Sequence, residues 1–423
     1  MNWRKELKTA MAVNEEKLVK MLRYVSEYND FYKNRIKEYG ITNPLDITQW
    51  PVLTRKELQE NRYNMFSDGY KSKYFNQQLR RQSSSGSSGM PVNVYWDYKD
   101  WYASNMSLWR KRWQWYGIKP GDKYVMFTLN AFNVKVNGET VYYIKKPENV
   151  LSVNVSLIQN EEQYKNLVDI MNDFNPAWLY IQPFVLNKLI QIYKKYDLKK
   201  PTALRYIESV GELLSSDLRR RAIEFFDVAF ANMYGSEEMN GIAYECPEYH
   251  MQVLNDNIYI EVQNNNGISL SGDGEAIITN LNNFAMPLIR YNQCDCIVVD
   301  NSQPYSCVNN RNIICHINGR SSDCIALGDK EINSYFLVEI LSETNNHYNG
   351  IIDFYRYVYK KSQRKIECMI NTKKTEWYSN IKKTLEDIFI KQVLPDTDIS
   401  FEVKLDKEAL LYGEKPQILT IVD

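Results

Sequence analysis

Between residues 124 and 233 short apolar runs alternate with amphipathic stretches, and this limits the fold of the 423-residue chain more than any other feature. Strand-like runs at 124–129, 149–155, 177–181, 204–210 and 227–233 are interleaved with helical patterns at 160–173, 183–197 and 215–226. Short apolar strands separated by helices predict an α/β protein on a mostly parallel, helix-covered sheet. Ligands of such sheets bind at the carboxyl ends of the strands. Gly211-Glu212 and Tyr234-Gly235-Ser236-Glu237-Glu238 fall there.

The flanks differ in character. Residues 2–40 are charged, with Leu18, Met21, Leu22, Val25 and Tyr28 at helical spacing, which predicts a helical lead-in. Thr54 followed by Glu57 forms the pattern of a capping box for a short helix. A helical stretch at 97–117 ends at Gly117. From about 250 to 315 short strands and turns take over (258–262, 275–280, 296–299). A break at Asn318-Gly319-Arg320 precedes a final segment of about 100 residues, the size of a small domain. The expected organisation is a large N-terminal domain, 1–318, with a β-rich subdomain, and a small α+β C-terminal domain, 319–423.

Composition excludes several roles. Lysine plus arginine equals aspartate plus glutamate, 52 each, so no charge-driven nucleic-acid binding is expected. The clusters Arg110-Lys111-Arg112 and Arg219-Arg220-Arg221 read as solvated helix faces. No apolar run approaches a membrane span, and the first residues lack a signal-peptide core. Seven cysteines without such a signal suggest a reducing compartment. The expectation is a cytoplasmic protein.

Residues 83–91 hold five serines and two glycines directly before the strand-like Val92–Trp96. Glycines let backbone N–H groups crowd an anion, and hydroxyls add donors. The common P-loop has a lysine and a Ser/Thr after its last glycine, whereas Met90-Pro91 follows here. A flexible linker is the other reading of such a run.

The order of short motifs resembles the adenylate-forming ligases, and within them the phenylacetate–coenzyme A ligase branch with its capsule-biosynthesis relatives. The resemblance runs from about residue 50 to the C-terminus. It rests on Trp50–Leu58, the Ser/Gly run with Pro91, Gly117–Asp122, Gly211-Glu212, Tyr234–Glu238, Pro287–Tyr291 with Asp295, Gly319-Arg320 with Asp323, and Gly413-Glu414-Lys415. It implies that Ser84, Ser85, Gly86, Ser87, Ser88 and Gly89 hold pyrophosphate, and that Gly211 and Glu212 border adenine. Tyr234 would lie against the adenine ring, with Gly235, Ser236, Glu237 and Arg320 in the same nucleotide site. Glu238 would bind Mg2+, Asp295 the ribose, and Lys415 would bridge the α-phosphate and the acid. A hinge at Ser322–Asp323 would make the C-terminal domain mobile. On composition alone, Arg290 and Asp295 could instead be a plain ion pair.

The chain also departs from the family pattern. Glu237 stands where the family has Thr and Cys294 where it has Gly; no basic residue follows Pro91, as is often so in this branch. Glu414 separates Gly413 from Lys415. Some members of the branch carry a structural zinc, which would here fall to Cys246, His250, Cys307 and Cys315; ordinary packed thiols are the alternative.

The resemblance implies an ATP- and Mg2+-dependent enzyme that adenylates a small carboxylic acid, aryl or arylacetic by default, and passes the acyl group to coenzyme A or another acceptor. Such a displacement is catalysed by positioning and charge neutralisation, so no nucleophilic side chain is needed. Phe132, Tyr142, Tyr143 and Met233 would line the acid pocket. Two alternatives stand beside it: a transferase that leaves AMP on a hydroxyl, and a non-catalytic relative.

Overall fold

The structure, a computed structural model, describes residues 3–84, 91–129, 132–136, 139–302, 312–327, 330–348, 350–372, 375–393, 399–406 and 417–423. Ser85, Gly86, Ser87, Ser88, Gly89, Cys307 and Lys415 lie outside the described residues. The chain divides into two compact units, one of 1–117 and 233–322, the other of 118–232 and 323–423.

In the first unit the helical lead-in is Trp3–Tyr28 followed by Asp30–Glu38, the second capped by the Asn29 side chain on Tyr32 N–H. The capping box forms as its spacing predicts. Thr54 and Glu57 exchange side-chain and backbone hydrogen bonds at the head of helix Arg55–Asn61. Helix Tyr98–Tyr116 ends at Gly117, whose φ of +65° is the left-handed cap that glycine adopts without strain. The β-rich part is wholly antiparallel. Its strands run in the order Gly267–Ser269, Ile258–Asn264, Gly272–Asn280, Tyr291–Asp300, Ile313–Arg320, Met251–Val253, Asn240–Glu245 and the end of Ala229–Ser236. A core from Leu18 and Trp50 through Ile278, Leu288 and Tyr291 packs helices and strands together.

The second unit carries the alternating segment. Tyr206–Val210, Trp178–Ile181, Tyr124–Thr128 and Val150–Asn154 pair in parallel, and Tyr143–Lys146 adds an antiparallel edge. Glu161–Phe174, Pro183–Tyr196 and Ser216–Phe226 are the intervening helices, so the α/β reading of this region holds. Residues 323–423 add a hairpin, two helices (Ser334–His347 and Tyr378–Val393) and a sheet ordered Ser400–Leu405, Lys365–Thr372, Ile352–Lys360, Leu419–Val422 around a separate core. Among the described residues no helix is long and apolar enough to cross a membrane.

Two sequence expectations need correction. The arginine clusters are only partly solvated: Arg112 and Arg221 are buried. Arg221 Nε donates to the buried Asp217 Oδ2 at 2.7 Å, because i,i+4 spacing faces the two inward on one helix. Arg290 does not pair with Asp295. Its Nε and Nη2 donate to both oxygens of Glu261 at 2.9 and 2.6 Å, and Nη1 donates to Trp50 O at 2.8 Å and Thr48 O at 3.2 Å.

A buried pair of this kind is worth most when challenged one partner at a time, because the survivor is left as an uncompensated charge. Arg290→Met should therefore destabilise the protein by about 3–5 kcal/mol, read as a lowered urea midpoint. Removing Glu261 as well (Glu261→Leu) should restore much of that loss.

Candidate functional site

The site in the first unit is made where regular strand pairing fails. Strand Ala229–Ser236 pairs with Asn240–Glu245 through a hairpin whose tip is 237–239, and the register slips between Tyr234 and Gly235. Gly235 is required by close approach: a Cβ there would stand 2.5 Å from Asn240 O. A second irregularity lies on Tyr291–Asp300. Glu275 pairs with Cys296 but Ile277 with Asn292, so residues 293–295 bulge from the ladder. A bulge re-aims side chains, and Asp295 is thereby brought against Tyr234, whose hydroxyl donates to Oδ2 at 2.6 Å. Arg320, directly opposite Asp295 on Ile313–Arg320, brings Nε to 3.9 Å from Oδ1.

The bulge is turned by Cys294, at φ +58°, with its N–H held by Asn292 Oδ1 at 2.7 Å. This is the position where the resembled family has glycine. The left-handed backbone explains the preference, and the Asn292 turn shows how a cysteine is accommodated.

Glu238 occupies the hairpin tip and is 4 % exposed. Its Oε1 lies 3.8 Å from Nη1 of Arg55, and Nη2 of the same guanidinium donates to Ser84 Oγ at 3.1 Å. Ser84 closes the base of the Ser/Gly segment: its N–H donates to Val92 O at 3.0 Å and its Oγ accepts from Val92 N–H at 2.9 Å. Glu237 is exposed and turned to another partner, Gln82, whose Nε2 donates to Oε2 at 3.1 Å. The same amide reaches Asn240 Oδ1 at 3.1 Å, and Gln293 Nε2 donates to Ser236 Oγ at 3.2 Å. Ser84, Tyr234, Gly235, Ser236, Glu237, Glu238, Asp295 and Arg320 are thus gathered in one unit. Arg55, Gln82 and Asn240 join them without having been singled out. The signal for Arg55 lies in Pro51–Leu58, which resembles a Pro-x-x-Thr-Lys-x-x-Leu pattern of the branch with Arg55 at the lysine.

Burial pushes the Glu238 carboxyl above its ordinary value; Arg55 and Arg320 oppose this, and Glu237 adds to it. The Tyr234 phenol is pushed well up by burial and then by the Asp295 carboxylate, so it stays a hydrogen-bond donor to that carboxylate.

Gly211 and Glu212 belong to the second unit, directly after strand Tyr206–Val210. Gly211 adopts φ +77°. Glu212 Oε2 accepts from Phe184 N–H at 3.2 Å, placing a carboxylate at the start of helix Pro183–Tyr196. Tyr142 and Tyr143 pack against this unit's core, and the Tyr142 hydroxyl accepts from Asn166 at 3.0 Å.

In the first unit Cys246 Sγ and His250 Nδ1 stand 3.9 Å apart across a tight turn, and Cys315 is exposed on Ile313–Arg320. Among the described residues no group of three or more His, Cys, Asp or Glu gathers as a metal site. Zinc therefore draws no support from the described residues.

No family model matches the chain. A phenylacetate–coenzyme A ligase of Pseudomonas putida is 24% identical over 302 residues, 66% of this chain and 64% of the relative, so less than two thirds of the relative's length is spanned. Among solved structures, 2-hydroxyisobutyryl-CoA ligase in the postadenylation state aligns with a TM-score of 0.75 at 16% identity, covering 97% of this chain and 89% of that one. An anthranilate CoA ligase in complex with anthranoyl-AMP gives 0.53 at 15% identity, covering 80% and 64%. The o-succinylbenzoate coenzyme A synthetase of Bacillus subtilis, in complex with AMP, gives 0.51 at 15% identity, covering 77% and 65%. At these identities the structural likeness shows the fold.

Two variants test the site's geometry. Cys294→Gly should be no less stable than the parent, because relief of roughly 1–2 kcal/mol of left-handed strain outweighs the added chain entropy. Cys294→Val, β-branched at positive φ, should lower the melting temperature clearly. A carboxyl raised by the fold contributes stability fully below its ordinary value of 4.5 and loses it as pH rises through the raised value. Glu238→Gln removes that loss, so the variant's stability relative to the parent should rise with pH across this window, as read by urea denaturation.

Proposed function

From a fold that is that of the adenylate-forming ligases, we propose that this chain is an acid–coenzyme A ligase. In the first step the carboxylate of a small acid attacks the α-phosphorus of ATP and expels pyrophosphate, leaving acyl-AMP. In the second, the thiol of coenzyme A takes the acyl group and AMP departs. The observation that carries this reading is the Tyr234–Asp295–Arg320 cluster beside the Arg55–Glu238 pair. Asp295 is a carboxylate anchored by a phenol on one oxygen and a guanidinium near the other, which suits it to accept from the two hydroxyls of a ribose. Glu238 is a buried carboxylate faced by a cation, a donor type fit to hold Mg2+. When bound, that ion would neutralise polyphosphate charge.

The remaining assignments follow from the resemblance and are part of the proposal. Ser84–Gly89 would cradle the pyrophosphate, and Gly211 and Glu212 would border adenine. Lys415 would bridge the α-phosphate and acid oxygens as negative charge moves onto pyrophosphate. Residues 1–318 would bind nucleotide and acid, and 319–423 would carry Lys415. The phenylacetate and anthranilate names of two relatives support an aromatic acid, and 2-hydroxyisobutyryl-CoA ligase supports a small aliphatic one.

Pyrophosphate release with ATP and Mg2+, run against aryl, arylacetic and short aliphatic acids with hydroxylamine present, tests the reading. One acid class should give a hydroxamate, and coenzyme A should replace hydroxylamine as acceptor. Asp295→Ala removes a charged contact of about 1.5–3 kcal/mol, which should raise the KM for ATP roughly 10- to 100-fold. An adenylylated product that resists hydroxylamine would assign a hydroxyl acceptor instead. Absence of any ATP binding would leave a non-catalytic relative.

A further inference from the structure

The segment assigned to pyrophosphate carries no basic side chain from Ser84 to Pro91. Hydroxyls and amides can orient a polyphosphate, but its charge also calls for a fixed cation. The fold brings one from elsewhere in the sequence. Arg55 opens helix Arg55–Asn61, and its guanidinium forks between Ser84 Oγ, at 3.1 Å, and Glu238 Oε1, at 3.8 Å. One arm thus touches the base of the Ser/Gly segment and the other the carboxylate fit for Mg2+.

The two arms differ in grip. At 3.8 Å the Glu238 contact is electrostatic and not a hydrogen bond. Arg290 in the same unit holds Glu261 at 2.6 and 2.9 Å, the distances of a structural clamp. The Arg55 side chain is also 22 % exposed, against 6 % for Arg290, so its head is not sealed into the interior. The Arg55–Glu238 contact is thus longer than a structural clamp, and its cation is partly exposed.

Resting on the ligase reading above, we propose that Arg55 is the phosphate-binding cation of this site, supplied by the helix before the Ser/Gly segment. In the structure it faces Glu238. With Mg·ATP bound, Glu238 would hold the metal and the guanidinium would take oxygens of the β- and γ-phosphates, then of the leaving pyrophosphate. No bond is made or broken in this exchange. Arg55 would supply the positive charge that the segment does not itself carry.

Calorimetric titration of the full chain with Mg·ATP and with AMP tests this. AMP has no β- or γ-phosphate, so the two ligands separate phosphate contact from nucleoside contact. Arg55→Ala should weaken Mg·ATP by roughly 10-fold or more and leave AMP within about twofold. Arg55→Gln, which keeps a donor for Ser84 Oγ without the charge, should resemble Arg55→Ala, and Arg55→Lys should recover part of the affinity. Asp295→Asn should weaken both ligands together. Equal losses for ATP and AMP in Arg55→Gln, with a lowered melting temperature, would make Arg55 a structural residue and overturn the proposal. Wild-type affinity in Arg55→Ala would do the same. A wild-type chain that binds neither nucleotide would instead bring down the ligase reading, and this assignment with it.

Discussion

One buried guanidinium fixes the place where the site begins. Arg290 spends its donors on Glu261, Trp50 O and Thr48 O, deep in the first unit. Burying two charges costs several kcal/mol of solvation, which only dense hydrogen bonding offsets. Here that bonding ties residues 47–50 to strand Ile258–Asn264. The backbone completes the attachment: Leu53 N–H donates to Arg290 O, and Asn292 N–H donates to Leu53 O, both at 2.9 Å. The segment before helix Arg55–Asn61 is thereby stitched to the strand that bulges three residues later. Arg55 and Asp295 inherit their positions from the same clamp.

Regular antiparallel pairing would not have made this site. A ladder sends successive side chains to opposite faces, so a polar cluster from adjacent strands needs a break in register. Two breaks occur together, at Tyr234/Gly235 and at 293–295. The first frees a three-residue tip whose middle residue, Glu238, is buried. The second turns Asp295 toward Tyr234. The strain is local and explicit: Cys294 sits at positive φ under an Asn292 turn, and Gly235 stands where no Cβ fits.

The alternating half of the chain was legible because its signals are local. Strands at 124–129, 177–181 and 204–210 and helices at 183–197 and 215–226 appear nearly where periodicity puts them. The Thr54 capping box and the Gly117 terminus are likewise written in a few adjacent residues. Tyr234, Glu238, Asp295 and Arg320 were named from motif order, but the Tyr234–Asp295 hydrogen bond spans 61 positions and depends on a bulge that no periodicity marks. Arg290 shows the limit most clearly. Its neighbour in sequence suggested Asp295, yet the fold gives it Glu261, 29 positions away, because the left-handed turn at Arg290 (φ +50°) precedes the bulge and separates the two side chains. Charged residues inside a helix pattern mislead in the same way: Arg221 sits in a charged run, yet Asp217 lies on its face and buries it.

The departures from the family pattern form a consistent set once the geometry is known. Glu237 would repel phosphate if it shared Glu238's direction, but it is exposed and held by Gln82, so only one carboxylate of the pair faces Arg55. Cys294 takes the glycine's backbone conformation with help from Asn292. Arg55 places a positive charge beside Ser84 at the base of the Ser/Gly segment. Glu237 and Cys294 are thus each met by a second residue that keeps the local geometry: Gln82 holds one carboxylate away, and Asn292 secures a left-handed turn.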